Sequence, residues 1–430
     1  MKHWLLILLP SLAMSQGNLP VLSLDEALSH GRKDNPSLLK VRSQTVQSRE
    51  VTAQSTAALW PTLSVLSDLS RLGPNLAGDP VSNPAANGLK DNQWTTTFSA
   101  RWIVFDGFAT RSVRTARQAQ EKLASARETG QELSLSSQIA IGYIEVMRHQ
   151  RLLTTRTGAI EVSQERLALA QARAQVGTAS LLDEQQAQMD ANADSSAWLK
   201  QNLALSQARR QLNWLMGRDP ELLFQVTDSL PTGIEPVREE LLQAALENSP
   251  TLAQARASEA AALSEEKAGK AEFLPVASLY SNYVFLNQLR DSHPPANAYW
   301  QGFKFGAQVS MPLFEGGKSL AKSRASYEAS RQASLGVREV QQQIRRDFAQ
   351  GWMAMEQAQA NHALERRNAT LSASTLALAL GRHRAGSLSG MDLRRIQEAS
   401  VEAESRAISA ACDARIARIQ LALLAGRFQP

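Results

Sequence analysis

The chain has 430 residues, of which 43% are hydrophobic, 6% aromatic and 20% charged, and its formal net charge is +5. Lys and Arg interleave with Glu and Gln, and no basic patch with stacking aromatic residues occurs, which excludes a nucleic-acid-binding protein. The histidines lack metal-ligand spacing, and there is neither a phosphate-binding glycine loop nor a nucleophile elbow. We therefore expect no enzyme activity, no cofactor and no bound metal.

Residues 1–15 form a predicted secretory signal peptide. Lys2 and His3 precede an apolar run from Trp4 to Leu9, and Ala13-Met14-Ser15 resembles a cleavage site. This run is too short to cross a bilayer as a helix, and no later apolar stretch approaches the roughly 18 residues that a crossing needs. Any membrane span of the mature chain is therefore expected to consist of strands.

The chain is internally duplicated. Three pairs of landmarks recur: Asn35-Pro36 with Ser249-Pro250, Phe105-Asp106-Gly107 with Phe314-Glu315-Gly316, and Leu215-Met216-Gly217 with Leu424-Ala425-Gly426. The first pair is 214 positions apart and the other two are 209 apart, so the spacing is nearly constant. Constant spacing predicts rigid helices, and the small difference indicates one variable loop. The predicted organisation is a first repeat at 16–218, a linker at 219–237 and a second repeat at 238–430.

Each repeat is predicted to begin with two helices. Asn35 and Ser249 are good N-caps, each followed by a proline at the first helical position. The helices that start there should run to about 57 and about 272, where Pro61 and Pro275 end them. A shorter helix is expected before each of them, near 24–31 and 238–247.

After each of these prolines the hydrophobic pattern alternates, which predicts two strands per repeat. The strands, at about 62–71, 94–104, 276–286 and 303–313, have about the ten residues that a tilted membrane strand needs. Trp94, Tyr299 and Trp300 are expected at the membrane interface. External loops are expected at 72–92 and 287–298. The side chains predicted to face the membrane are Trp94, Phe98, Trp102, Phe303, Phe305 and Val309. A soluble hairpin with one buried face is the alternative interpretation.

Two very long helices follow the strands. No proline occurs from about 109 to 175 or from about 317 to 385, and a helix of that length would reach roughly 100 Å. Such a length requires coiled-coil support. After short glycine turns, helices at about 181–217 and 390–426 are predicted to run back. Because four strands cannot close a membrane barrel, the chain must oligomerise, with eight strands from a dimer or twelve from a trimer.

The ordered landmarks, occurring twice over the mature chain, resemble the TolC-like outer-membrane efflux protein family. The resemblance implies a mostly α fold with membrane β-strands. It implies a homotrimer whose twelve-stranded β-barrel, with four strands per chain, is continued by a long α-helical coiled-coil barrel. Residues 219–237 would belong to an equatorial region. The location implied is the outer membrane and its lipid, with the chain extending into the periplasm.

The resemblance implies a passive outer-membrane channel of a tripartite efflux or export system, with a periplasmic adaptor protein and an inner-membrane pump as partners. Two alternatives stay open, namely the duct of a type I protein secretion system and a non-conducting coiled-coil protein of the envelope. The sequence does not distinguish small-molecule cargo from protein cargo.

The resemblance also implies roles for the two helix-to-helix turns. The predicted adaptor-contact residues are Gly177, Thr178, Ser180, Gly386, Ser387 and Ser389. Asp183 and Asp392 lie six residues beyond the turn glycines and, together with Arg395, form the predicted periplasmic constriction. The alternative for both carboxylates is helix capping, because Ser180-x-x-Asp183 and Ser389-x-x-Asp392 match the capping-box pattern.

Overall fold

The computed structural model describes residues 19–72, 91–176, 180–227, 237–290 and 296–426. The predicted signal peptide, the turn residues Gly177 and Thr178, and most of the first predicted external loop lie outside these residues. Among the helices described, none has both the length and the apolarity to cross a membrane.

The two repeats contain the same order of elements. In chain order these are β1 (Val21–Leu22), α1 (Leu24–Asp34), α2 (Pro36–Ala57), β2 (Thr62–Leu72), β3 (Asp91–Phe105), α3 (Ala109–Gln175), α4 (Leu181–Met216), β4 (Gln225–Val226), α5 (Arg238–Asn248), α6 (Pro250–Lys270), β5 (Val276–Arg290), β6 (Ala296–Ser310), α7 (Lys318–Arg384) and α8 (Gly390–Leu424). The eight predicted helices are confirmed, and α3 and α7 have 67 residues each.

Local hydrogen bonds explain where the first helices begin. The carboxylate of Glu26 accepts a hydrogen bond of 2.9 Å from the Ser23 backbone N–H, and this bond lowers the pKa of Glu26. The side-chain oxygen of Asn35 accepts from the backbone N–H groups of Ser37 (2.9 Å) and Leu38 (3.2 Å), which confirms the predicted cap. Its amide nitrogen donates to the Leu215 carbonyl at 2.8 Å, so the same residue also joins α2 to the end of α4.

The chain divides into two compact units, and the first comprises Met1–Lys40, Gly130–Ser249 and Ile344–Pro430. Its main hydrophobic core brings together α1, α3, α4 and the short parallel pair β1–β4. Tyr143, completely buried in this core, donates from its hydroxyl to the Leu22 carbonyl at 3.0 Å and accepts from the Thr227 backbone N–H at 3.0 Å. One side chain therefore fixes the segments that carry both short strands.

The second unit comprises Val41–Thr129 and Pro250–Gln343 and contains an antiparallel sheet in the order β2-β3-β5-β6. Residues paired across neighbouring strands share a face of the sheet. Phe98 pairs with Val65 and Tyr283, and Tyr283 pairs with Phe303, so an apolar row crosses all four strands, with an aromatic residue on three of them. This apolar face also carries Leu63, Leu69, Trp94, Trp102, Leu279, Phe285, Phe305 and Val309. The other face, here called the polar face, carries Ser64, Asp68, Thr95, Thr97, Ser99, Arg101, Asn282, Lys304 and Gln308, interrupted by Leu66, Tyr280, Val284, Leu286 and Trp300.

The four predicted strands exist, but their predicted bounds were wrong in the second repeat. β5 continues to Arg290 and β6 begins at Ala296, within the predicted loop 287–298, because backbone pairing does not require an alternating side-chain pattern. β6 also ends at Ser310, three residues before the predicted end. Trp300 lies on the polar face and Tyr299 on the apolar face, since adjacent strand residues point to opposite faces. A position of both at the membrane interface stays a prediction.

α4 in the first repeat and α8 in the second repeat end at the same kind of close backbone contact. Gly217 (φ +72°) and Gly426 (φ +65°) are in the left-handed conformation. A Cβ atom on Gly217 would lie 2.5 Å from the Asp34 carbonyl oxygen, and one on Gly426 would lie 2.7 Å from the Asn248 carbonyl oxygen. Only glycine therefore permits the close approach at these two positions.

We expect Gly217→Ala to lower the thermal unfolding midpoint of the purified protein in detergent, followed by circular dichroism. The left-handed conformation alone costs about 1–2 kcal/mol for a residue with a Cβ atom, and the contact with Asp34 adds to that cost. Gly158→Ala is the matched control, because Gly158 lies inside α3 with no atom within 4 Å of an added Cβ. That change should leave stability equal or raise it by up to about 1 kcal/mol. A Gly217→Ala protein as stable as the control would contradict the argument.

Candidate functional site

The turn regions of both helical hairpins, α3–α4 and α7–α8, belong to the first unit. At the start of α4 the Ser180 hydroxyl accepts from the Leu182 backbone N–H at 2.9 Å, and the Asp183 carboxylate accepts from the Ser180 backbone N–H at 3.3 Å. At the start of α8 the Ser389 hydroxyl accepts from the Asp392 backbone N–H at 3.1 Å and donates to the Asp392 carboxylate at 2.7 Å. Both predicted constriction carboxylates thus take part in helix capping.

The second turn is held by backbone hydrogen bonds. Gly386 adopts φ +76°, and its N–H donates to the His383 carbonyl at 3.0 Å. The Ser387 N–H donates to the Arg382 carbonyl at 2.9 Å, so the last carbonyls of α7 are satisfied. The backbone of this turn is therefore defined by its own bonds, while Gly386, Ser387 and Ser389 remain exposed.

A cleft of about 690 Å³ lies between the two hairpins near their turns. Its lining includes two of the predicted constriction residues, Asp183 and Arg395, and the turn segment from Gly386 to Gly390. Asp392 does not line it. Arg395 is 82% exposed and lies 3.5 Å from the Asp392 carboxylate.

A charge network beside this cleft joins the two hairpins through Arg394 and Asp194, whose side chains are 15% and 12% exposed. Arg394 of α8 donates to both carboxylate oxygens of Asp194 of α4, at 2.6 and 3.1 Å. Its Nε also lies 2.7 Å from the exposed Glu398 carboxylate. Burial lowers the pKa of the Arg394 guanidinium and the Asp194 and Glu398 carboxylates raise it, with a net rise. Arg394 therefore stays charged and ties α8 to α4.

The same network continues towards α3. Arg166 pairs with Asp190 of α4, and Gln397 of α8 donates to the Ala159 carbonyl at 3.1 Å. Within the part of the chain that the structure describes, Arg166 Nη1 and Gln397 Oε1 are buried without a hydrogen-bond partner. Unpaired buried polar atoms are costly, so the network is incompletely satisfied in this arrangement.

The sequence pattern indicated Arg395, whereas its neighbour Arg394 makes the contact between the hairpins. Successive helix residues point about 100° apart, and only the packing of α8 on α4 decides which arginine is buried. A usable signal exists in α4, where Asp190 and Asp194 are one turn apart and present two acids on one face.

The apolar face of the sheet in the second unit is a separate candidate surface. All six residues predicted to face the membrane lie on it, and Phe305 and Val309 are 75% and 70% exposed. The indole N–H of Trp94 donates to Ser67 Oγ at 2.8 Å, and that of Trp102 donates to the Leu59 carbonyl at 3.1 Å. An apolar surface of this extent, with its tryptophan donors already satisfied, requires cover by lipid or by protein.

Comparisons with known proteins agree with this geometry. The family model described as "Outer membrane efflux protein" matches residues 27–218 and 241–427. The outer membrane efflux protein BepC of Brucella suis biovar 1 (strain 1330) is 23% identical over 407 residues, which cover 94% of this chain and 85% of that protein.

Solved structures with the same fold include two outer-membrane proteins. The CmeC outer membrane channel of Campylobacter jejuni has a TM-score of 0.80 and 14% identity, and the match covers 94% of this chain and 85% of that chain. The outer membrane protein VceC of Vibrio cholerae has a TM-score of 0.77 and 16% identity, covering 94% of this chain and 96% of that chain. At these identities the structures establish the fold.

We expect Asp194→Ala to loosen the contact between the hairpins, because it leaves Arg394 without its bidentate partner. Removing one member of a largely buried ion pair costs up to about 3 kcal/mol, and the loss should appear as faster hydrogen exchange of α8 amides near Arg394. Glu398→Ala is the control, since it removes an exposed partner of the same arginine and should cost less than about 1 kcal/mol. Equal exchange in the two variants would argue against a structural tie through Asp194.

Proposed function

Since the chain belongs to the outer membrane efflux protein family, we propose that it is the outer-membrane channel of a tripartite export system, which passively conducts substrates delivered by an inner-membrane pump and a periplasmic adaptor protein. Proteins of this family are outer-membrane transport channels, not a family of enzymes, and the chain is located in the outer membrane. The fold is that of the TolC-like channels.

The observation that carries the proposal is the difference between the two faces of the sheet. The apolar face exposes Trp94, Phe303 and Phe305 and would contact lipid, and the polar face would line a water-filled pore. A sheet that serves only as a spacer has no need of an apolar face this exposed.

A homotrimer is part of the proposal. β2 and β6 are the edge strands of the four-stranded sheet, and a single chain leaves both edges open. Three copies would supply twelve strands, with β2 of one copy beside β6 of the next, and would remove every edge from the lipid. Under the same proposal, residues 219–237 link the repeats 16–218 and 238–430 in an equatorial region.

The turns are proposed to meet the adaptor protein in the periplasm. Gly177, Thr178, Ser180, Gly386, Ser387 and Ser389 are the proposed contact residues. Exposed apolar side chains lie next to them, with Leu182 72% and Met391 78% exposed, and these would provide the area that a partner hairpin covers.

A constriction formed by Asp183, Asp392 and Arg395 also stays a proposal. In a trimer, three copies of each carboxylate would form rings of negative charge at the turns. The ion pair between Arg394 and Asp194 would hold the two hairpins together in the closed state of the constriction. Contact with the adaptor protein would shift the equilibrium between this closed state and an open one.

The channel proposal is tested by recording single-channel currents of the purified protein in planar bilayers. We expect stepwise conductance from a trimeric preparation. Trimers that insert without any conductance would instead support the non-conducting envelope protein. Cargo is tested separately, by identifying the pump that co-purifies with the protein, since a type I secretion pump would indicate protein export.

We expect Asp392→Ala to raise the closed-state conductance or weaken blockade by multivalent cations, because it removes one proposed ring of charge. Ser389→Ala is the matched control. It removes the capping hydroxyl and keeps the carboxylate, so it should alter stability by about 1 kcal/mol and leave blockade unchanged. If the two substitutions change the closed-state conductance and the cation blockade equally, Asp392 acts only as a helix cap.

A further inference from the structure

Two aromatic rings lie against glycines on the polar face of the sheet, on either side of one lysine. A Cβ atom on Gly306 would lie 2.8 Å from the Tyr280 hydroxyl oxygen, and one on Gly302 would lie 2.4 Å from the Trp300 ring. Gly302, Lys304 and Gly306 follow one another on this face of β6. The rings therefore occupy the space that side chains at the two glycines would fill, with Lys304 between them.

Positive charge is concentrated at the same place. The Lys304 ammonium lies 5.9 Å from the centroid of the Tyr280 ring, within the range of a cation–π contact. Arg101 pairs with Tyr280 in the sheet, which places its Cα about 10 Å from that of Gly306, two strands away. Both cations are exposed.

Little negative charge opposes these cations. Among the described side chains of the polar face, the one acid is Asp68 on β2, three strands from β6 and so about 14 Å away. Val284 and Leu286 are also on this face and pair with Gly302 and Trp300, which extends the apolar area beside the Trp300 ring. Exposed positive charge thus lies beside aromatic and aliphatic surface.

We propose that this part of the polar face binds aromatic organic anions, whose negative charge pairs with Lys304 and Arg101 and whose ring packs against Tyr280 or Trp300. The inference rests on the proposed channel function, because only then does the polar face line the path of the cargo. It adds a substrate class to that function: aromatic anions would be retained at this site, whereas simple anions and aromatic cations would not.

The test uses the trimeric protein in planar bilayers of neutral lipid, with 1-naphthalenesulfonate as the probe. We expect this anion to reduce the conductance at concentrations at which methanesulfonate, which lacks the ring, and phenyltrimethylammonium, which has the opposite charge, have no effect. Lys304→Gln and Tyr280→Leu should each raise the half-blocking concentration about fivefold, the size expected for one exposed charge or ring contact. Tyr280→Leu keeps bulk over Gly306, and block is expressed relative to the conductance of each variant in KCl alone.

Gln308→Ala is the matched control, because it removes a polar side chain from the same strand and the same face without changing charge. It should leave the half-blocking concentration unchanged. Block that is equal in wild type, Lys304→Gln and Tyr280→Leu would overturn the inference and leave the channel proposal intact, as would equal block by the aromatic cation. A wild-type protein without conductance would overturn the channel proposal, and this inference with it.

Discussion

The edge strands β2 and β6 expose backbone N–H and C=O groups that have no partner within the described part of the chain, and most of the other features follow from how these groups are satisfied. In hydrocarbon each unpaired group costs several kcal/mol, so an open four-stranded sheet is not stable there. In water the exposed apolar side chains of Leu63 and Phe305 are also unfavourable. Closing the sheet into a barrel with further copies would pair the edge backbone groups and would let lipid cover the apolar side chains. The argument for a trimer therefore rests on the sheet and not on the helices.

The two repeats have the same order of helices and strands, but the contacts between the repeats are not themselves duplicated. Gly217 approaches Asp34 just as Gly426 approaches Asn248, so both repeats keep the same turn chemistry. The buried network is different in kind. At the constant offset of 209, Asp194 corresponds to Ala403 and Arg394 to Gln185, so the acid comes from one repeat and the base from the other. The ion pair that joins the two hairpins therefore has no second copy at the equivalent positions.

Helices were predictable here because their ends are marked by local chemistry. Pro36 and Pro250 begin α2 and α6, and the turn after α7 contains a glycine at a positive φ that residues with a Cβ atom adopt less readily. The strands of the second repeat were less predictable, since pairing from Asn287 to Arg290 continues without an alternating pattern. The buried role of Arg394 was not predictable from sequence. It depends on which side of α8 meets α4, and spacing along one helix carries no information about its partner.

The same reasoning separates the two faces of the sheet. On the apolar face, Trp94 and Phe303 occupy equivalent positions of the two repeats, as expected where any large apolar side chain satisfies lipid. On the polar face the equivalents of Lys304 and Gly306 are Thr95 and Thr97, so the first repeat presents hydroxyl groups where the second presents a cation beside a ring. Contact with lipid restricts the side chains of the apolar face to apolar ones, whereas the side chains of the polar face can differ between the repeats. Chemical selectivity in such a channel is therefore expected to arise on the face that the fold restricts least, and in one repeat rather than in both.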